Sequence, residues 1–319
     1  MAMGEFELIG RLIRPLARGC PAALDLTDDA ALLDVPDGQQ LVLAKDAMVE
    51  GVHFLADDPP ELIAGKILRV NLSDLAAMAA DPLGYLMVLA RPRKVDDAWL
   101  EAFYRGLARD QQRFGLHLMG GDTVSTPGPL MLSLTILGLV PRGRALLRSG
   151  AGAGDDIWVS GTLGDAALGL RILRGLAASE DEALELVDRY RTPRPRLALG
   201  QALRGIATAA LDVSDGLLAD LGHILEESRV GAELRAATLP ISPTARNLPG
   251  ALDAALSGGD DYELLFTAPV AARAAVEAAA GAAAVQVTRI GHIEAGKGLR
   301  LIGPEGRPMS PRQAGWRHF

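Results

Sequence analysis

Aspartates stand beside apolar segments along the whole of this 319-residue sequence. Surface acids usually share polar stretches with Lys or Arg, whereas these are flanked by Leu, Val, Ala, Gly and Ser. If several met in the fold, each pair at ~4 Å would repel by about 4 kcal/mol at an effective dielectric constant of about 20. Divalent cations would offset that repulsion, and oxygen ligands without His or Cys indicate Mg²⁺ or Mn²⁺ rather than zinc. The aspartates concerned are Asp28, Asp29, Asp46, Asp74, Asp122, Asp212, Asp215, Asp260 and Asp261.

The sharpest local pattern is Asp212-Val213-Ser214-Asp215-Gly216, which joins a predicted strand to a predicted helix. Alternation along the strand places Asp212 and Ser214 on one face, and the turn at Gly216 brings Asp215 to the same strand end. Capping of the following helix by Ser214 or Asp215 is the structural alternative. Because capping leaves Asp212 unexplained, the pattern favours a ligand-binding turn.

A long apolar helix is predicted from Pro60 to the stop at Pro82, and it carries Asp74. Asn71 and Asp74 share one face, while apolar side chains cover the others, so the helix should be largely buried. A buried carboxylate needs hydrogen bonds or a cation, because an unpaired buried charge is costly. On the helix alone, a satisfied core Asp and a metal ligand are equally good interpretations of Asp74.

Two glycine-rich stretches follow predicted strands. Residues 120–123, Gly-Gly-Asp-Thr, would let a ligand approach the backbone after the strand 116–119, with an ordinary turn as the alternative. Residues 161–165 could bind an anion at a helix start, although a plain helix cap is the better interpretation there. The sequence has no P-loop, no nucleophile elbow and no kinase-type glycine-rich loop, which excludes those nucleotide and hydrolase sites.

The overall composition narrows the class of protein. The net charge of −8 makes a general nucleic-acid-binding surface a poor interpretation. Cys20 is the only cysteine, which rules out an intramolecular disulfide and fits a reducing, cytoplasmic environment. The first residues do not resemble a signal peptide, and no run of ~20 apolar residues would span a membrane.

Strand and helix patterns alternate through both halves of the chain, which predicts a two-domain α/β protein. A glycine-rich connector at 141–143 and 150–156 separates the halves, so the predicted domains are 1–143 and 144–319. The segment 24–33 is predicted to be a strand, with the adjacent carboxylates Asp28 and Asp29 at its centre.

Seven motifs occur here in an order that resembles one known family. They are 28–31, 49–54, 71–78, 120–123, 144–150, 212–216 and 259–263, and the likeness runs from residue 4 to 316. The chain resembles the thiamine-monophosphate kinases, which belong to the superfamily of aminoimidazole ribonucleotide synthetase and selenophosphate synthetase. The resemblance implies a two-domain α/β fold of the aminoimidazole ribonucleotide synthetase type, with an N-terminal domain that binds ATP and Mg²⁺ and dimerises through its sheet, and a C-terminal domain that completes the active site.

The resemblance also implies an activity. ATP would phosphorylate thiamine monophosphate to thiamine diphosphate by direct in-line transfer, assisted by several Mg²⁺ ions and without a phosphoenzyme. Carried over position by position, the implied metal ligands are Asp29, Asp46, Asp74, Asp122, Asp212 and Asp215, and catalytic roles fall on Asp74, Asp122, Asp212 and Asp215. The implied nucleotide contacts are Gly121, Asp122, Arg148 and Ser214, and the implied substrate contacts are His53, Asp260, Glu263 and Trp316.

The sequence departs from the family pattern at two places. Thr27 stands where Gly commonly precedes the paired aspartates, and Ala44-Lys45 precede Asp46 where hydroxyl residues are frequent. We interpret Lys45 as a further nucleotide contact whose ammonium replaces part of a cation's charge. Asn71 is expected to orient Asp74 from the preceding helical turn.

Two alternatives to the kinase interpretation remain at this point. One is another ATP-using enzyme of the same superfamily, although Cys20 is poorly placed for the reactive residue that a selenophosphate synthetase needs. The other is a non-catalytic protein that binds nucleotide and metal on this scaffold, against which the intact aspartates argue.

Overall fold

The computed structural model describes residues 4–310 and Gly315, apart from the side chain of Glu5. The chain separates into two compact units. The first comprises residues up to 75 together with 81–143, and the second comprises 76–80 together with 144–319. Among the described helices, none is long and apolar enough to cross a lipid bilayer.

The first unit consists of a helical N-terminal segment and a four-stranded sheet with two long helices. The N-terminal segment continues through a π-helical turn, Ile9–Ile13, and ends in a 3₁₀ helix, Pro21–Leu26. The elements in chain order are α1 (Glu5–Leu8), α2 (Arg14–Ala17), β1 (Gln39–Val49), α3 (Pro60–Ala77), β2 (Asp81–Pro92), α4 (Asp97–Phe114), β3 (His117–Thr126) and β4 (Met131–Pro141).

The sheet of the first unit has the strand order β1-β4-β2-β3. Only β2 and β3 pair in parallel, and the other pairs are antiparallel. The register aligns Lys45 with Thr135, Leu86 and Gly120, so these residues point to one face of the sheet, and Asp46 points to the other. This alternation decides which of the predicted ligands share a face.

Helices α3 and α4 are connected by a buried ion pair. Arg69 donates from Nε and one terminal nitrogen to Asp110, at 2.5 and 3.0 Å, and both side chains are almost fully buried. Helix α4 begins at Asp97, because the Asp96 carboxylate accepts the Trp99 N–H at 2.8 Å and caps the helix. The helix that carries Asp74 is therefore fixed by its neighbour.

The second unit consists of a six-stranded sheet, order β10-β7-β9-β5-β8-β6, and six helices. Its sheet is antiparallel except for the β10–β7 pair, and apolar side chains pack on it in separate clusters. The elements are β5 (Asp156–Ser160), α5 (Asp165–Leu173), α6 (Glu180–Arg191), α7 (Leu197–Ala202), β6 (Ala209–Asp212), α8 (Leu217–Ser228), β7 (Gly231–Arg235), α9 (Ala251–Ser257), β8 (Leu264–Ala268), α10 (Arg273–Ala282), β9 (Val287–Glu294) and β10 (Gly298–Ile302), with short 3₁₀ turns at Ala236–Thr238 and Val270–Ala272.

The predicted two-domain α/β fold is confirmed, but two local predictions are wrong. Residues 24–33 do not form a strand: Leu24 and Asp25 adopt positive φ, and Thr27 Oγ1 donates to the Leu24 carbonyl at 2.8 Å. Residues 120–123 are not a turn after a strand but lie inside β3. At 24–27 a hydrogen-bonded turn forms instead of the predicted strand. At 120–123 pairing with β2 keeps the glycines in an extended strand instead of the predicted turn.

Candidate active site

Asp46 and Asp74 meet at the edge of the first sheet. Asp46 comes from β1 and Asp74 from α3, and their side chains are hydrogen bonded to each other. Burial raises the pKa of Asp46 above its ordinary value, and the hydrogen bond to Asp74 opposes that shift. Two carboxyl side chains in contact form a set of oxygen donors that suits a divalent cation.

Asn71 orients the Asp46 side of this pair rather than Asp74. Its side-chain oxygen accepts the Asp46 backbone N–H at 3.2 Å, and its amide donates to the Ile67 carbonyl at 2.9 Å. The expectation that Asn71 orients Asp74 is therefore wrong. Because β1 is an edge strand, its N–H groups on that side have no strand partner, and Asn71 satisfies one of them.

His53 lies close to the Asp46–Asp74 pair in a turn after β1. Its Nδ1 accepts the Val49 N–H at 3.1 Å, so the neutral imidazole carries its proton on Nε2. Lys66, which is 3% exposed, donates from Nζ to the His53 carbonyl at 3.0 Å. Sequence reasoning missed Lys66, although a lysine inside an apolar helix is a readable sign of a satisfied buried charge.

A cavity of about 620 Å³ lies in the first unit, within the usual size range of ligand sites. The polar part of its lining includes Asp29, Gly120, Asp122 and Thr123, and leucine and isoleucine side chains line much of the rest. The structure thus brings Asp29 and Asp122 to one cavity. Asp122 lies two residues beyond Gly120 in β3 and shares the sheet face of Lys45, opposite to Asp46.

Gly121 faces a neighbouring strand at close range. A Cβ at this position would lie 2.0 Å from the carbonyl oxygen of Met87 in β2. The glycine is therefore required by strand packing, which accounts for it without a ligand. Its predicted nucleotide contact stays a prediction.

Lys45 hydrogen bonds across the sheet. Its Nζ donates to Thr135 Oγ1 of β4 at 3.2 Å, and the side chain is exposed. Arg148 lies on an exposed loop whose backbone is held by Ser228, since Ser228 Oγ donates to the Arg148 carbonyl and accepts the N–H of Gly150, at 3.2 and 3.1 Å. Both side chains are accessible to a ligand.

In the second unit, Asp212 ends β6 and Asp215 lies in the turn before α8. The alternative that Ser214 or Asp215 caps α8 is wrong, because the residue before the helix is Gly216 and no side chain caps it. Instead, one carboxylate oxygen of Asp220 accepts the N–H groups of Ser214, Asp215 and Gly216. Burial, followed by the charges of Asp212 and Asp215, raises the pKa of Asp220 to about 7.

Glu263 is fully buried in a network of charged side chains. Arg189 donates to its Oε1 at 2.8 Å, Arg196 donates from Nε to its Oε2 at 2.6 Å, and Ser160 Oγ donates to the same Oε2 at 2.6 Å. Every oxygen of this predicted substrate contact is thus already hydrogen bonded within the protein. Sequence reasoning missed both arginines, which come from other elements.

Asp260 and Asp261 face different surroundings. Asp261 is buried and accepts the N–H of Gly164 at 2.7 Å and of Ala166 at 3.3 Å. The N–H groups at the start of α5 that could bind an anion are therefore already bound by this carboxyl group. Burial raises the pKa of Asp261 well above its ordinary value. Asp260 is half-buried and accepts from the Tyr262 hydroxyl at 3.3 Å. Trp316 lies outside the described residues.

The predicted metal ligands therefore meet in pairs. Asp46 contacts Asp74, Asp29 and Asp122 line one cavity, and Asp212 and Asp215 flank one turn. Within residues 4–310 and Gly315, no group of three or more His, Cys, Asp or Glu side chains is arranged to hold a metal ion.

Similarity to known proteins places this chain in a family. Residues 27–140 match the AIR synthase related protein N-terminal domain, and 152–304 match its C-terminal domain. The thiamine-monophosphate kinase of Caulobacter vibrioides is 47% identical over 98% of this chain and 90% of its own length. The chain belongs to the thiamine-monophosphate kinase family. This membership confirms the resemblance read from the sequence, and with it the prediction of an enzyme of the kinase class.

Solved structures of thiamine-monophosphate kinases share the fold. The enzyme from Stenotrophomonas maltophilia superposes with a TM-score of 0.85 at 45% identity, covering 97% of this chain and 99% of that one. The structure described as AaThiL complexed with AMPPCP and TMP superposes with a TM-score of 0.77 at 30% identity, covering 99% and 97%. The family likeness thus extends through both units.

Proposed function

We propose that this protein transfers the terminal phosphoryl group of ATP to thiamine monophosphate, giving thiamine diphosphate and ADP. The observation that carries the proposal is the end-to-end likeness to thiamine-monophosphate kinases, one of which was solved with AMPPCP and TMP bound. The paired carboxylates support it, because phosphoryl transfer asks mainly for positioning and charge neutralisation.

The donor chemistry fits Mg²⁺. Asp46 and Asp74 contact each other, and the remaining predicted ligands are also carboxylates. Mg²⁺ is usually bound by one or two carboxylates together with water and substrate phosphates, so pairs suffice without a three-residue cluster. Asp29, Asp46, Asp74, Asp122, Asp212 and Asp215 are the proposed ligands. Bound Mg²⁺ would neutralise phosphate charge and favour in-line transfer.

The protein's own side chains have complementary tasks in this proposal. His53 would donate its Nε2 proton in a hydrogen bond to the thiamine monophosphate, because Nδ1 is already bonded to Val49. Lys66 holds the His53 carbonyl and so fixes the turn. Lys45 and Asp122 share a sheet face, which supports a nucleotide contact for Lys45. Further proposed nucleotide contacts are Gly121, Arg148 and Ser214, and further substrate contacts are Asp260, Glu263 and Trp316.

The test is a product assay with ATP, Mg²⁺ and thiamine monophosphate, followed by chromatographic detection of thiamine diphosphate. We expect thiamine diphosphate and ADP in equal amounts, and no product with thiamine in place of its monophosphate. ADP release without thiamine diphosphate would favour another ATP-using enzyme of the superfamily. Binding of ATP without turnover would favour a non-catalytic protein.

Removal of divalent metal is expected to abolish the reaction. Without a cation, the carboxylate pairs repel the ATP phosphates, so EDTA should lower turnover by at least about 100-fold, and added Mg²⁺ should restore it. EDTA saturated with Mg²⁺ beforehand is the control and should have no effect. Undiminished turnover in metal-free EDTA would contradict the proposed role of these aspartates.

A second copy of the chain is the proposed partner, bound through the sheet of the first unit. Leu43, Leu86 and Val124 lie on the Lys45 face of that sheet and are 61%, 39% and 43% exposed. Large apolar side chains exposed together on a sheet face are typical of an interaction surface. This surface supports the homodimer that the resemblance implies.

Leu43→Glu is expected to convert the dimer into a monomer, because it places a charge in the centre of an apolar interface. Light scattering after gel filtration measures the mass. Leu184→Glu is the matched control, since Leu184 is 75% exposed on α6 in the second unit and should leave the mass unchanged. A dimeric Leu43→Glu protein would exclude this face as the interface.

A further inference from the structure

Three consecutive backbone N–H groups converge on one oxygen of Asp220. Ser214, Asp215 and Gly216 donate to Asp220 Oδ2 at 3.0, 3.1 and 3.0 Å. The Asp220 side chain comes from the first turn of α8 and the residue is only 4% exposed. One carboxyl oxygen that accepts three backbone N–H groups satisfies every donor on that side of the turn. On the side that faces α8, the backbone of the turn is therefore held by the Asp220 side chain.

The opposite side of the same turn is held by the backbone of 260–263. Val213 N–H donates to the Glu263 carbonyl, Tyr262 N–H donates to the Val213 carbonyl, and Asp260 N–H donates to the Ser214 carbonyl, at 2.8, 2.8 and 2.9 Å. Gly216 adopts φ 117°, and a Cβ there would lie 2.8 Å from the Ser257 backbone. The peptide units that donate from Ser214 and Asp215 to Asp220 are thus also held through the carbonyls of Val213 and Ser214, so the turn is clamped between Asp220 and the backbone of 260–263.

Asp212 ends the strand before this turn and Asp215 lies within it, so the direction of the turn's peptide groups affects where their carboxylates point. We infer that Asp220 is a positioning residue that aligns Asp212 and Asp215 for divalent cation through its hydrogen bonds to the turn. The inference rests on the proposed function of Asp212 and Asp215 as metal ligands. Side chains that orient metal ligands from behind typically change metal affinity 10–100-fold when replaced.

Two substitutions separate hydrogen bonding from charge. Asp220→Asn keeps an oxygen that can accept the three N–H groups but removes the charge. Asp220→Glu keeps the charge but moves the carboxylate by one methylene group. If alignment of the turn is what matters, Asn should retain Mn²⁺ affinity within about 3-fold, and Glu should weaken it by about 10-fold or more.

The experiment measures Mn²⁺ binding to the full-length protein by electron paramagnetic resonance, without ATP or thiamine monophosphate. Asp212→Asn combined with Asp215→Asn provides the reference loss of both direct ligands, and in that background Asp220→Glu should add less than about 3-fold. Asp96→Asn is the control, because Asp96 also accepts a backbone N–H at a helix start but in the first unit. It should leave Mn²⁺ binding unchanged. Thermal unfolding in EDTA establishes that each variant is folded at the temperature of measurement.

The outcomes are distinguishable from those of the kinase assay. Wild-type Mn²⁺ affinity in Asp220→Glu, or a greater loss in Asp220→Asn than in Asp220→Glu, would overturn the inference while leaving the proposed function intact. A full additional loss from Asp220→Glu in the background that lacks both Asp212 and Asp215 would also overturn it. Absence of thiamine diphosphate formation by the wild-type protein would overturn the proposed function, and the Mn²⁺ measurements would still decide whether Asp220 aligns this turn.

Discussion

Asp74→Asn is expected to lower kcat by at least about 100-fold, which corresponds to about 3 kcal/mol of lost transition-state stabilisation. Asn is neutral and binds divalent cations weakly, so the Asp46 pair would lose half of its charge. The fold should persist, because an amide can still hydrogen bond to Asp46 and Asp74 is only half-buried. Steady-state kinetics with saturating Mg²⁺ and ATP measure the effect.

Asp37→Asn is the matched control for this prediction. Asp37 lies in an exposed turn of the same unit, so the same change of charge there should leave kcat unchanged. An apparent Mg²⁺ requirement that rises in Asp74→Asn but not in Asp37→Asn would link the loss to metal binding. Wild-type kcat in Asp74→Asn would exclude Asp74 as a metal ligand. Its role would then be structural, as a hydrogen-bond partner of Asp46.

Glu263→Leu is expected to destabilise the protein by about 3–5 kcal/mol. The substitution leaves Arg189 and Arg196 without their carboxylate in a buried site, and breaking a buried ion pair from one side has a cost of this size. Ser160 also loses its acceptor. The midpoint of urea unfolding, followed by the fluorescence of buried Trp158 in the same unit, measures the change.

Glu233→Leu is the comparison variant in the same unit. Glu233 pairs with Arg235 and Arg300, whose side chains are 61% and 53% exposed, so its removal should barely move the unfolding midpoint. Equal midpoints for Glu263→Leu and wild type would contradict the buried network. Because instability alone could abolish turnover, the proposed substrate contact of Glu263 is tested by KM in variants that remain folded.

Local signals in the sequence were sufficient to predict most helices and strands, but not all of them. The sequence predicts an amphipathic helix over 95–114 that is entered through Asp96 and Asp97, and α4 begins at Asp97, two residues after the predicted start. Helix α6 was missed although Ser179 and Glu182 form a readable capping box before it. The segment 24–33 has strand-like alternation, yet it pairs with no strand of the described sheets, so its pattern misled the prediction.

The contacts of the candidate site depend on long-range packing, and sequence spacing does not reveal them. Asp46 and Asp74 are 28 positions apart, and only the docking of α3 against the β1 edge brings them into contact. Glu263 meets Arg189 and Arg196 across more than 60 positions. The residue types were therefore enough to predict carboxylate chemistry, whereas the partner of each carboxylate could be identified only from the fold.

The transfer of phosphate itself provides the most direct test of this account. In a single-turnover reaction with ATP labelled at the terminal phosphate, Mg²⁺ and thiamine monophosphate, we expect label in the terminal phosphate of thiamine diphosphate, one mole per mole of ADP. Label released as inorganic phosphate, or retained on the protein, without labelled thiamine diphosphate would contradict direct transfer between the two substrates.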